Sequence, residues 1–171
     1  MLFELERIQR IADDIKELCY TGRLPVTKFK VKDGSYKDMP PRFDGDDLHD
    51  FTTGGLWGGY DESRWFVTKA VTDKSHIGKC VIMRITTGRE GEWDAMNPQA
   101  MFYINSMLIQ GVDVNHREVI LAENATEGEV FEIAILFHSG LHEGRKFLFS
   151  TDLLCLRQRN GKPVLRHNRS A

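Results

Sequence analysis

Cysteine is scarce in this chain and poorly placed for cross-linking. Cys19, Cys80 and Cys155 are odd in number, far apart and contain no C-x-x-C pair. That excludes a disulfide framework and a zinc knuckle, and a reducing cytoplasm is the compartment expected. Charge of one sign is also lacking: 23 Lys and Arg against 25 Asp and Glu leave a net charge of -2, so neither nucleic acid nor an anionic membrane is an expected partner. No apolar run is long enough to span a bilayer, and MLFELERIQRIADD carries acidic residues where a signal peptide needs an unbroken apolar region. The sequon Asn124-Ala125-Thr126 matters only in a secreted eukaryotic protein.

What is present suits one globular domain with an appendage. The 171 residues are 41% hydrophobic and 28% charged, and one core is comfortable at about 100–200 residues. Between residues 2 and 19 the apolar positions Leu5, Ile8, Ile11, Ala12, Ile15, Leu18 and Cys19 recur at three- and four-residue spacings, with charged residues between them. This is the pattern of an amphipathic α-helix. Gly22 is expected to stop it and Pro25 to keep it from resuming, which sets the helical segment at 1–22.

Beyond the helix the period changes to two. Val26 to Val31 alternates as a half-buried strand does, and Asp33-Gly34-Ser35 is turn chemistry. Residues 33–63 hold two prolines and six glycines with little periodicity, and are expected to be mostly irregular and either functional or laid over a sheet. Short strand candidates then recur at Trp65–Val71, Lys79–Thr86, Ala100–Ile104, Met107–Ile109, Arg117–Leu121, Glu129–Phe137 and Phe147–Arg157. Their glycine punctuation predicts a mainly β sandwich over 23–158. The basic, aperiodic residues 159–171 read as a tail or the start of a linker.

Candidate chemistry is thin. His138-Ser-Gly-Leu-His142 has the four-residue separation of a zinc pair but no Glu between and glycines around it, so a turn is the better reading. Glu90, Glu92 and Asp94 around Trp93 read as a solvated rim rather than an acid/base pair. Asp113 and His116 form half of a catalytic triad, yet no Ser or Cys has a nucleophile context. They are expected to make a turn after Gly111, with contact to a carbohydrate as the functional alternative. Trp65, inside a strand, is expected in the core, whereas Trp57 and Trp93, in Gly-flanked loops, are expected to be exposed and able to stack on a sugar ring.

One resemblance rests on particular residues. The amphipathic helix, LWGGYDESRWFVTKAV, MFYINSMLIQGVDVNHREVIL and EGEVFEIAILFHSG together resemble the N-terminal accessory domain of bacterial α-mannosidases of glycoside hydrolase family 38. The most specific part is Gly111 to Glu118, preceded by Tyr103-Ile-Asn105; Ser106 stands where the family commonly has Gly. The resemblance implies a jelly-roll β-sandwich, similar to galactose-binding-like domains. It also implies a non-catalytic domain that packs on the catalytic domain of the same polypeptide or lines its substrate cleft. The family's zinc and aspartate nucleophile belong to that catalytic domain. Here His76-Ile77 is followed by Gly78 rather than Asp, and no other His-x-Asp occurs, so no catalytic or metal-binding residue is assigned and no cofactor is expected in this chain. The alternative is an autonomous carbohydrate-binding module using Trp57, Trp93, Asp113 and His116. Pairing into a homo-oligomer through the helix stripe is a further expectation.

Overall fold

The apolar spacing of the first residues produces a helix, α1 (Leu2–Leu18), and the chain enters a strand almost at once, β1 (Tyr20–Val26). The computed structural model describes residues 2–92, 97–141, 144, 146–159 and 162–163. Its strands continue as β2 (Lys28–Asp33), β3 (His49–Thr52), β4 (Leu56–Trp57), β5 (Ser63–Val71), β6 (Cys80–Thr86), β7 (Gln99–Ile104) and β8 (Met107–Val112). They end with β9 (Glu118–Ala122), β10 (Val130–His138), β11 (Phe147–Leu148), β12 (Ser150–Leu156) and a small pair, β13 (Gln158–Arg159) and β14 (Lys162–Pro163).

Two antiparallel sheets face each other, one ordered β1-β12-β6-β9 and the other β3-β2-β5-β10-β7-β8. The chain passes from one sheet to the other at β1–β2, β5–β6, β6–β7, β8–β9, β9–β10 and, by way of β11, β10–β12, giving the expected β-sandwich. Period-two alternation fills the space between them: Val81, Met83 and Ile85 of β6 meet Phe131, Ile133, Ile135 and Phe137 of β10 in one buried cluster. Phe66 and Phe149, 4.5 Å apart, are at its aromatic centre, and each such ring removed from water contributes about 1.5–3 kcal/mol.

One sequence expectation shifts here. Gly22 does not stop the helix, which ends at Leu18; it lies in β1 with φ 61, at the register break between Thr21 and Arg23, where a bulge needs such a residue. Pro25 sits in the same strand, tolerated because β1 is an edge of its sheet. The segment over 33–63 is mostly irregular as expected, with two short strands inside it, β3 paired with β2 and β4 with β11. It does lie over a sheet: Phe43 and Leu48 cover Trp65, Val67, Ala134 and Leu136 on the outer face of the larger sheet. That cover explains why β10 is apolar on both faces.

The helix is left uncovered. Leu5, Ile8, Ile11, Ile15 and Leu18 are between 53% and 65% exposed, whereas Cys19, just past its end, packs against the outer face of the smaller sheet, beside Tyr20, Cys80 and Leu156. No described helix is long and apolar enough to cross a membrane.

Candidate functional site

The turn after β8 is built as its residues suggest. The Asn115 and His116 amides both donate to Asp113 Oδ1 at 2.7 Å, and His116 Nδ1 lies 3.0 Å from the same oxygen. Burial would raise the Asp113 pKa, but the bonds from the His116 ring and from the two amides outweigh it and hold the carboxyl below its ordinary value. All acceptor capacity of Oδ1 is spent on its own turn, and no described serine or cysteine bonds to the His116 ring. The arrangement closes the β8–β9 connection rather than assembling a triad.

Trp57 requires a correction. It is 2% exposed, paired through β4 with Phe147 and surrounded by Phe66, Phe137 and Phe147 at 5.3–5.5 Å. The flanking glycines do not expose it, because β4 pairs with β11 and brings it into the sandwich. It presents no face to a sugar. Trp93 lies outside the described residues, as do Asp94 and His142. Trp65 is in the core cluster of the outer face as expected, although its indole Nε1 has no hydrogen-bond partner among the described residues.

The structure assembles a different site, on the outer face of the larger sheet. Ser63 of β5, His138 of β10 and Gln99 of β7 stand in one cross-strand row. The next row on that face is Trp65, Leu136 and Met101. With Gly34, Ser35, Tyr36 and Asp61 the first row borders a cleft of about 530 Å³, within the range of small-molecule sites.

Its walls are held by side chain to backbone bonds. The buried Ser139 hydroxyl accepts from the Glu62 amide at 3.0 Å and contacts the Gly59 carbonyl at 2.8 Å, while the Asp61 amide donates to the Gly140 carbonyl at 2.8 Å. This latch fixes Asp61 in a left-handed conformation, φ 54, which a non-glycine residue adopts only when its surroundings impose it. On the other wall the Gly34 amide donates to the Ser63 carbonyl at 3.0 Å, and Asp38 Oδ2 accepts from the Ser35 amide at 2.7 Å. Between these anchors Tyr36 projects outward, 74% exposed. Gly34 is required where it is: a β-carbon there would come to 2.6 Å from Trp65 Nε1.

Ser63 Oγ lies 3.2 Å from His138 Nδ1, and His138 Nε2 lies 3.9 Å from Asp61 Oδ1. These are the three residue types of a hydrolytic triad in reversed order, since in a working triad the carboxylate holds Nδ1 and the serine meets Nε2. Ser63 also begins an extended strand rather than a nucleophile turn. What the row offers is a set of hydrogen-bonding groups beside an exposed aromatic ring.

Sequence reading missed this row because its members come from three separated strands; the signal was GGYDESRW and FHSG, two turn-flanked strand ends whose pairing only the register reveals. No group of three or more His, Cys, Asp or Glu side chains is placed to hold a metal among the described residues.

No protein-family model matches the chain, and no curated protein is similar to it in sequence. Its fold is similar to parts of solved glycosidases. A Ruminococcus gnavus β-glucuronidase aligns with TM-score 0.55 and 12% identity over 80% of this chain and 28% of that one. The same organism's enzyme in complex with uronic deoxynojirimycin gives 0.56 and 13% over 81% and 30%. A β-glucuronidase of an uncultured Clostridium species gives 0.54 and 14% over 80% and 29%. The chain thus spans 28–30% of the length of these structures, and at such identity the likeness is one of fold.

Proposed function

We propose that this chain is a non-catalytic accessory β-sandwich domain of a glycosidase, serving domain packing, assembly or the rim of a substrate cleft. The observation that carries the reading is the stripe of α1: a sandwich with a closed core leaves five large apolar side chains of one helix in water, and such a contiguous patch marks an interface. The fold shared with part of glycosidase chains supports the enzyme class. The residue pattern Gly111 to Glu118 is what points to an α-mannosidase of family 38 as the parent. There a separate zinc-bearing domain would perform hydrolysis through a covalent mannosyl intermediate.

The test is association. Light scattering of the purified chain over a wide concentration range is expected to show reversible self-association through the stripe, removed in the Ile8→Lys, Ile15→Lys double variant. A strict monomer at the highest concentration, identical to the variant, would refute the packing role of the helix. The second reading, an autonomous carbohydrate-binding module, is favoured by one observation: the exposed Tyr36 beside the Asp61, Ser63, Gln99 and His138 row.

A further inference from the structure

We infer that the cleft bordered by Tyr36, Asp61, Ser63, Gln99 and His138 binds a neutral sugar, as a mono- or disaccharide unit, with Tyr36 as the stacking platform. The inference rests on the glycosidase-associated reading for its ligand class. Its site is distinct from the Asp113–His116 turn and from the helix stripe.

Three features carry it. The first is chemical complementarity. A pyranose has an apolar C–H face and a rim of hydroxyls, and the cleft pairs one exposed aromatic ring with a serine, an amide, an imidazole and a carboxylate. Lys37 Nζ lies over the Tyr36 ring at 5.6 Å from its centroid, so a sugar stacks on the opposite face.

The second is the spacing of the polar row. At 3.9 Å, His138 Nε2 and Asp61 Oδ1 are beyond direct hydrogen-bond distance, and one hydroxyl placed beside them can bond both. Gln99 continues the row, one strand spacing of about 4.8 Å from His138, and reaches the next hydroxyl. Adjacent ring hydroxyls present such paired donors and acceptors, whereas a flat apolar ligand would leave these groups unpaired.

The third is preorganisation and charge. The Ser139 latch and the two anchors of the 34–38 turn hold the walls before any ligand arrives. Asp61 holds its constrained backbone at the rim, where its carboxylate accepts hydroxyl hydrogens. The Arg64 guanidinium, beside Ser63 in sequence, is shared by Asp33 at 3.2 Å and Glu62 at 3.8 Å. An anionic sugar would face the Asp61 carboxylate at the rim, and a neutral glycoside is preferred over a uronate.

The experiment is an amide-resolved NMR titration of the whole chain with methyl α-mannoside, methyl β-glucoside and glucuronate, up to tens of millimolar. Saturable shifts centred on Ser35, Tyr36, Asp61, Gln99 and His138 are expected. The neutral glycosides should bind at least about tenfold more tightly than glucuronate, a difference of about 1.4 kcal/mol. Tyr36→Ala and Asp61→Asn should each weaken binding about tenfold while keeping a dispersed spectrum; asparagine tolerates the left-handed backbone that Asp61 adopts.

Absence of shifts from a folded sample, shifts confined to the Asp113–His116 turn, or equal binding of glucuronate would overturn the inference. Each of those outcomes leaves the association experiment on the helix untouched, so the two readings fail separately.

Discussion

Replacing Trp57 by alanine separates a core residue from a binding residue. Its indole is 2% exposed and touches three phenylalanine rings at 5.3–5.5 Å, and the neighbouring Gly58, at φ 98, already fits closely against Phe147. There is little freedom for these rings to collapse into the space left behind. The loss should therefore fall in the usual range for a buried Trp→Ala change, about 3–5 kcal/mol, a large share of the roughly 5–15 kcal/mol that holds a domain folded. With a urea slope of about 2 kcal/mol per molar, the unfolding midpoint drops by about 1.5–2.5 M. Equilibrium urea unfolding followed by far-ultraviolet circular dichroism measures this directly. A drop worth less than about 1 kcal/mol would mean that the indole is not packed between the sheets, and the argument for its burial would fail.

The β7–β8 hairpin and the β8–β9 turn supply two further tests. Asn105 and Ser106 both have positive φ, 49 and 67, as a two-residue primed hairpin turn demands, and Asn105 is useful there because its amide and Oδ1 bridge to the Glu132 backbone at 2.8 and 3.0 Å. Ser106 has no such bond among the described residues, and its left-handed backbone costs about 1–2 kcal/mol, so Ser106→Gly should stabilise by about 0.5–1 kcal/mol after glycine's extra unfolded-state freedom is counted. Scanning calorimetry should show a rise of about 1–4 °C; a fall would mean the serine has a partner that offsets its strain. For Asp113, the folded pKa lies below the unfolded one. Its contribution to stability is therefore fully present above about pH 3.9 and is lost as pH falls through the lower folded value. Carboxyl-carbon NMR should place its midpoint below that of an ordinary aspartate, and His116→Ala should move it upward; an unchanged midpoint would sever the assigned link between the two side chains.

Local periodicity was enough to locate most of the sandwich. The strand candidates over 65–71, 79–86, 100–104 and 129–137 match β5, β6, β7 and β10 within a residue or two, because period-two alternation and glycine turns are local signals. What failed were features that depend on pairing at a distance. Trp57 reads as exposed when judged by Gly54, Gly55, Gly58 and Gly59, and only the ladder from β4 to Phe147 buries it. β3 is four residues long within a proline- and glycine-rich stretch, too short for alternation to show. Ser63 and His138 are 75 residues apart in sequence, and nothing local in either segment identifies the other as its neighbour.

The two surfaces left open by the fold are compatible with one another. The helix leads into β1, an edge of the smaller sheet, and Cys19 packs on that sheet's outer face. The cleft opens on the outer face of the other sheet, on β5, β10 and β7, with both sheets between it and Cys19. A partner domain or second copy seated on Leu5, Ile8, Ile11 and Ile15 therefore has no need to cover Tyr36 or Asp61. An accessory domain arranged in this way can be fixed to its neighbour through one face while the other meets a sugar. The helix variant and the Tyr36 variant should accordingly act independently: Ile8→Lys with Ile15→Lys should abolish association without changing sugar affinity, because residues separated by a rigid core couple weakly. A sugar affinity that fell with the helix substitutions would show instead that assembly completes the cleft.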